Sequence, residues 1–377
     1  MNSINAKPPI IWLNVWVFAI TFAIAAIGVP VYAYVHGIDS SLWWAMIGTA
    51  CFAGISITAG YHRLWSHKAY KAHPIVRFLF AIGGAVALQN SVLHWSSDHR
   101  VHHTHVDDND KDPYSAKRGF WYSHIGWMLR EYQASRYSDY NNVKDLQEDP
   151  IVMWQHKHYL SLTLLTNFGW PLLFGWMVGD VLGGLLVVGV LRLVLNHHTT
   201  FFINSLAHIW GSQPYTDKNT ARDNGVLAFL TFGEGYHNYH HIFSADYRNG
   251  IRWYQFDPTK WLIRGLSYAK LTTDLKRTSG YQIERAKLTM QLTRASKKAK
   301  SAPQVLIDSA HEHYQQMATC LREYYQTRKK LLDAKAKQLK EQVHFDGLQD
   351  RIDELKQNLD EQQRHWRSLL SEIKRYA

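Results

Sequence analysis

Leu42-Trp-Trp-Ala-Met-Ile-Gly-Thr-Ala-Cys-Phe-Ala-Gly-Ile-Ser-Ile-Thr-Ala-Gly60 is a run of 19 residues without a charged side chain, and His62-Arg-Leu-Trp-Ser-His67 follows almost at once. At about 1.5 Å per residue, a helix of that length covers a hydrocarbon core of about 30 Å, so His62 should emerge at the membrane face and His67 above it. Upstream, residues 8–38 contain no Asp, Glu, Lys or Arg, and Gly37-Ile38-Asp39-Ser40 joins the two runs as a hairpin. A second hairpin lies far downstream: Leu160 to Val178 with Pro171 inside it, a Gly179-Asp180 turn, and an apolar stretch from Val181 through Phe202 interrupted by Arg192. Four runs of bilayer length read as membrane spans at about 10–35, 42–60, 160–178 and 181–202.

A further apolar run, 78–93, is short, starts beside Arg77 and carries Gln89-Asn90 near its end, so it is expected as an interfacial or re-entrant helix. With four spans both termini share one side, together with the polar stretches 94–158 and 209–260, and the positive-inside rule assigns that side to the cytoplasm. The mean hydropathy of -0.30 looks soluble because it averages two materials. Residues 271–377 hold 35 of the 73 charges, while the rest is apolar and rich in Trp. The +11 net charge is mostly in that tail, and a basic excess beside anionic lipid accounts for it without nucleic acid. Cys51 and Cys320 cannot build a disulfide framework or a Cys-based zinc module. The first apolar run is too long for a signal-peptide core and is expected to remain as an anchor.

Four histidine sets sit just beyond the spans: His62 and His67; His99, His102 and His103; His208, one turn after Asn204; and His237, His240 and His241. The second and last share the spacing His-x2-His-His, which stacks imidazoles over adjacent turns of a helix. His62 and His67 are five apart, about 140° around an α-helix. They are therefore expected to serve two different ions or to bend toward them at the helix end. Nine buried imidazoles without partners would be costly, whereas metal coordination satisfies them. Their number exceeds one tetrahedral zinc and suits two metals, with Fe, Zn, Cu or Ni all compatible with nitrogen donors.

The words His62-Arg-Leu-Trp-Ser-His67, Asp98-His99-Arg-Val-His102-His103 and Gly233-Glu-Gly-Tyr-His-Asn-Tyr-His-His241 resemble the three histidine boxes of membrane fatty acyl desaturases of the stearoyl-CoA type. Flanking words agree, including Gln89-Asn90, Trp95, Arg118-Gly-Phe, Ser123-His124-Ile-Gly-Trp127 and Asn204-Ser, and the likeness runs from about residue 10 to about 275. The resemblance implies an all-α fold: a membrane desaturase domain over 1–275 with four transmembrane helices in two hairpins, a cytoplasmic cap holding a di-iron site, and a C-terminal helical or coiled-coil tail over 276–377. It implies O2-dependent conversion of a saturated acyl-CoA, C16–C18 at Δ9, to a cis-monounsaturated product. The implied iron ligands are His62, His67, His99, His102, His103, His208, His237, His240 and His241, with Asn204 approaching through water. Asp98 and Glu234 would orient ligand rings from outside. Gln89, Asn90, Trp95 and Thr200 would line the bend of an acyl tunnel, and Lys117 and Arg118 would meet phosphates.

Two features depart from or extend that pattern. Ser97 stands where animal enzymes of the type carry an Arg associated with the CoA end, which keeps a phospholipid-linked acyl chain as an alternative substrate. Ala50 and Gly54 face the same way as His62, three and two turns away, and small side chains there should leave the tunnel end open to C18 or longer. Arg192, near the midplane, must pair inside the bundle.

In the tail, Leu348, Ile352, Leu355, Leu359, Gln362, Trp366, Leu369 and Ile373 make a heptad seam, and helical stretches 283–299 and 305–340 are expected to break at Ser301-Ala-Pro303 and at Gly347. A helical hairpin is the plain reading; a docking site for an electron donor or another copy of the chain is the sharper one. No His-Pro-Gly-Gly haem signature occurs, so electrons are expected from a separate ferredoxin or b5-type cytochrome (cytochrome b5) with its reductase. The alternatives are a histidine-box hydroxylase or alkane monooxygenase and, outside enzymes, a metal-handling membrane protein. The expected location is a bacterial inner membrane, with both termini and the site in the cytoplasm.

Overall fold

The computed structural model describes residues 7–298, 302–336 and 342–376, and its regular elements are helices apart from one antiparallel two-residue ladder, Lys71–Ala72 against Thr272–Thr273. The contacts divide the chain into two compact units: residues 1–213 with 218–277, and residues 214–217 with 278–377.

In the first unit, helix α1 (Trp12–His36) and helix α2 (Ser40–Ser66) are joined by a turn in which the Asp39 side chain accepts the Ser41 N–H. Helix α3 (Pro74–Ala87) and helix α4 (Val92–His105) follow, bent by 81° at the break between them. Helix α5 (Pro150–Lys157) leads into α6, residues 159–177, and then α7 (Val181–Ile209). Three helices, α1, α2 and α7, are long and apolar enough to cross a membrane, and the bent pair α3–α4 adds a fourth if it is one span. Helix α6, expected as the third span, has the length, about 28 Å, but a lower hydropathy. Its polar Thr163 and Asn167 point inward and are buried, while Leu160, Leu164, Leu165, Phe168, Leu173 and Trp176 are exposed on the outside. A face so apolar is stable against lipid and costly against water.

Two of these helices wind as π-helix just before a proline: Ile24–Gly28 precedes Pro30, and Leu165–Gly169 precedes Pro171. Proline lacks the N–H that an α-helix would use, and the wider turn absorbs that gap without breaking the span.

The apolar run 78–93 is not one helix, as expected, but the end of α3 and the start of α4. Leu88 and Asn90 both take positive φ, 52° and 74°, which ends α3 and turns the chain. Such a break leaves carbonyls without helical partners, and in a bilayer water cannot satisfy them. The second hairpin does so: Asn167 donates to Ala85 O (3.1 Å), Arg192 to Val86 O (2.7 Å) and His197 to Leu88 O (3.1 Å). Arg192 is fully buried and also donates to Asn167 Oδ1 at 2.7 Å, which makes it the internal pairing expected of a charge at that depth. Gly84 lets α3 lie against α2, since a Cβ there would sit 2.1 Å from the Tyr61 ring.

The second unit is not a hairpin. Three helices, α8 (Gly280–Lys298), α9 (Gln304–Ala336) and α10 (Gln342–Lys374), pack Leu288, Ala310 and Met317 against Trp366, Leu369 and Ile373. Ile352, Leu355 and Leu359 are also buried, as the heptad seam requires, and Trp366 donates to Gln291 at 2.7 Å. Gly347 lies inside α10 rather than at a break; one glycine costs a helix about 1 kcal/mol, which the seam outweighs. Of the break expected at 301–303, Ser301 lies outside the described residues.

Arg192→Leu should strand Val86 O and Asn167 Oδ1, at about 1–3 kcal/mol for each unsatisfied group. The apparent Tm in detergent should fall by several degrees, and Asn167→Leu with Arg192→Leu should cost less than the sum of the single changes, since each removes the other's partner.

Candidate metal centre

Helix α2 changes winding as it reaches the membrane face: Ser56–Ser66 is π-helical, with His67 N–H bonded to His62 O at 3.1 Å, five residues back. On such a helix positions five apart lie one above the other, so the His62 and His67 rings come within 4.8 Å of each other. The 140° separation expected from α-helical geometry does not occur, and both rings enter the same group.

Two groups result. His62, His67, His99, His103 and His240 form one, and His102, His208, His237 and His241 the other, each with ring nitrogens within 4.8 Å of one another. The spacing His-x2-His-His explains the division. On α4, His99 and His103 are one turn apart and share the first group, while His102 faces the second. On the short helix His237–Ile242 the sense reverses: His237 and His241 share the second group and His240 joins the first. The His103 and His241 rings stack between the groups at 4.4 Å.

Three Nδ1 atoms point outward to acceptors. His62 Nδ1 lies 2.8 Å from Glu234 Oε2, and His102 Nδ1 lies 2.8 Å from Asp112 Oδ1. His208 Nδ1 lies 2.8 Å from Thr220 Oγ1, whose own proton goes to Asp107 Oδ1 at 2.6 Å. A carboxylate, or a hydroxyl already donating elsewhere, can only accept, so these rings carry their proton on Nδ1. Their Nε2 lone pairs therefore face inward, where Nε2 atoms approach to about 3 Å: His62 to His240 at 3.0 Å, His208 to His237 at 3.1 Å and His102 to His241 at 3.3 Å. Burial, reinforced by the surrounding imidazoles, pushes His237, His240 and His241 well below the usual histidine pKa, so the rings are neutral. Neutral imidazoles that turn ring nitrogens toward one another offer nitrogen donors to a cation, and one divalent transition metal in each group fits this donor set.

A buried ion-pair network holds the first group. Arg63 is buried and donates to Glu234 Oε1 at 2.8 Å, to Asp257 Oδ2 at 3.1 Å and to Tyr247 O at 2.8 Å. Burial pushes the Glu234 carboxyl up, but His62 and Arg63 beside it outweigh that and hold it below its ordinary value. Asn249 donates to Glu234 Oε2 at 2.7 Å, completing the carboxylate's partners. Asp112 accepts the Asp107 and Tyr114 N–H groups, and Tyr114 OH lies 3.3 Å from His99 Nδ1.

Asp98 is not beside a ligand ring. It accepts from Arg136 at 2.6 Å and lies 3.4 Å from His94, one turn earlier on α4. Asp112, Asp107 and Thr220 take outer positions that no helical spacing points to, since all three lie in loops. Asn204 is the last residue of the helical segment Arg192–Asn204, one turn before His208. Gln89 donates to Thr200 Oγ1 at 2.9 Å, Asn90 forms part of the break, and Trp95 stacks on His99 at 4.8 Å. Lys117 and Arg118 are exposed, and Arg118 covers the Tyr122 ring. Ala50 O accepts from Asn196 at 3.2 Å. Gly54 does not open onto empty space: the Phe232 ring packs directly over it.

Residues 41–275 match the family model "Fatty acid desaturase". The chain is 52% identical over 213 residues to a "Probable acyl-CoA desaturase" of Schizosaccharomyces pombe, covering 56% of this chain and 44% of that protein. It is 35% identical over 290 residues to "Stearoyl-CoA desaturase 5" of Bos taurus, covering 74% and 84%. It is 34% identical over 270 residues to an "sn-2 palmitoyl-lipid 9-desaturase" of a Nostoc species, covering 68% and 87%. The chain thus spans less than half the length of the fungal protein it matches.

Asp112→Ala should weaken metal binding in the four-histidine group by about 10–100-fold and leave the five-histidine group loaded. Elemental analysis after dialysis against a chelator should then show metal content falling from two ions per chain toward one.

Proposed function

The chain belongs to the fatty acid desaturase family, and on that premise we propose that it removes two hydrogens from adjacent methylenes of a saturated fatty acyl chain to give a cis double bond. The balance is one acyl chain, O2, two electrons and two protons in; one monoene and two waters out. The observation that carries this reading is the pair of all-histidine groups set at the end of apolar spans. Bound iron, redox-active where zinc is not, supplies with O2 the oxidant that an unactivated C–H bond requires.

Each protein group has a task in that reaction. The nine imidazoles would hold two ions, with Asn204 approaching one of them through water, and Glu234, Asp112 and the Thr220–Asp107 pair keep three rings in the Nδ1–H form that presents Nε2. Trp95, stacked on His99, and Gln89, bonded to Thr200, would line the place where an acyl chain bends. The spans let the chain enter from the lipid, so its methylenes never cross water.

The substrate we propose is a C16–C18 acyl-CoA desaturated at Δ9; the names of the fungal and bovine relatives support it, and exposed Lys117 and Arg118 supply charge for its phosphates. The Nostoc relative's name favours a lipid-linked acyl chain as the second reading. Electrons would come from a separate ferredoxin or b5-type cytochrome, and the three-helix tail would dock that donor or a second copy. The metal face would be cytoplasmic, in keeping with the basic excess on that side.

Expression in a host unable to make unsaturated fatty acids should restore growth and give monoenes by lipid gas chromatography. His102→Ala and His240→Ala, one from each group, should each lower product below detection. A hydroxylated chain in place of a monoene would overturn the reading, and transfer of label from stearoyl-CoA but not from a phospholipid would decide between the two substrates.

A further inference from the structure

Tyr114 is buried in the loop that follows α4, and the reaction as described leaves it without a task. Its hydroxyl lies 3.3 Å from Nδ1 of His99, a member of the five-histidine group. Its ring packs at 4.5 Å and 32° on that of His102, a member of the four-histidine group. One side chain thus touches a ligand of each group. His99 Nε2 faces His67 Nε2 at 2.8 Å, so with a metal on Nε2 the ring carries its proton on Nδ1 and donates it to the phenol oxygen. Tyr114 stands to His99 as Asp112 stands to His102, and Pro113 between the two stiffens the backbone that spaces them. The Tyr114 N–H also donates, at 3.2 Å, to the same Asp112 oxygen that faces His102 Nδ1.

The phenol ring is held in turn. Trp127 packs on it at 5.0 Å, and the Arg136 guanidinium lies 4.7 Å over the Trp127 ring. Arg136 Nε and Nη2 donate to Asp98 Oδ1 and Oδ2 at 3.1 and 2.6 Å. Asp98 precedes His99 on α4, so the contacts leave that helix through two ligand rings and return to it through the neighbouring carboxylate. A guanidinium suits this place because one plane both stacks on the indole and meets two carboxylate oxygens; a lysine can pair with Asp98 but cannot stack in that way.

Resting on the two-metal reading, we propose that Tyr114 is a positioning residue common to both metal groups, with Trp127 and Arg136 holding it in place. Its oxygen sets the His99 ring and its own ring sets His102. The Asp98–Arg136 pair acts on the metals at one remove, through the indole and the phenol.

The test titrates cobalt(II) into the metal-free full chain and its variants against a competing chelator, following the visible bands, which differ between five and four nitrogen donors. Tyr114→Phe keeps the ring and deletes the oxygen. The five-histidine group should lose about tenfold in affinity, the lower end for removal of an outer partner, while the four-histidine group holds its own. Tyr114→Ala removes both contacts and should weaken both groups by about 10–100-fold. Arg136→Lys, with its charge kept, should weaken both groups in the same direction by less. Unchanged binding in Tyr114→Phe, weakening of a single group in Tyr114→Ala, or binding in Arg136→Lys equal to that of the unmodified chain would overturn the assignment. Tyr114→Phe, which deletes one atom, carries the test alone if Tyr114→Ala does not fold. If the unmodified chain takes up fewer than two cobalt ions, the two-metal reading itself fails and the assignment of Tyr114 falls with it.

Discussion

The winding of α2 at the membrane face is the constraint on which the rest of the site depends. A backbone bonded five residues back rather than four turns His62 and His67 to the same side and leaves Arg63 free to point the other way, into the ion pairs with Glu234 and Asp257. An α-helix over the same residues would aim the two imidazoles about 140° apart and break the five-membered group. The π segment is held in place by side-chain hydrogen bonds. Tyr61 accepts from Gln155 at 2.7 Å, Tyr70 donates to Ala59 O at 2.8 Å, and Ser66 donates to Tyr61 O at 2.8 Å.

The same helix is a membrane span, which sets two environments against each other within a few residues. Toward the lipid, every polar group has to find a protein partner, and the break after α3 is closed by Asn167, Arg192 and His197 for that reason. Toward the cap, Arg63 and its carboxylates are buried as well. Taking such charges out of water is offset only when each has several partners, and here the guanidinium has three acceptors. Rigidity at the metals is the return on both arrangements.

How much of this was legible in the sequence differs with the range of the interaction. Uncharged runs, the heptad seam and the repeated His-x2-His-His report local periodicity, and the helices, the buried faces of α10 and the meeting of the histidines follow from them. The assignment of His62 and His67 to one group is not legible, because spacing fixes an angle only once the winding is known and nothing in the residues announces a π turn. Asp98 looked like the outer carboxylate because it adjoins His99, yet adjacent residues on a helix face different ways. Asp112 takes that position from a loop ten residues beyond His102. Gly54 looked open because its own side chain is absent, while Phe232, far away in the chain, fills the space.

The crossing of loyalties between the two helices has a mechanical consequence. Helix α4 sends two rings to one group and one to the other, and the short helix of His237 reverses the count, with His103 and His241 stacked face to face across the middle. No rigid movement of either helix opens one group and leaves the other intact. The two groups therefore behave as a single elastic body, and occupancy of either stiffens the frame in which its neighbour is filled.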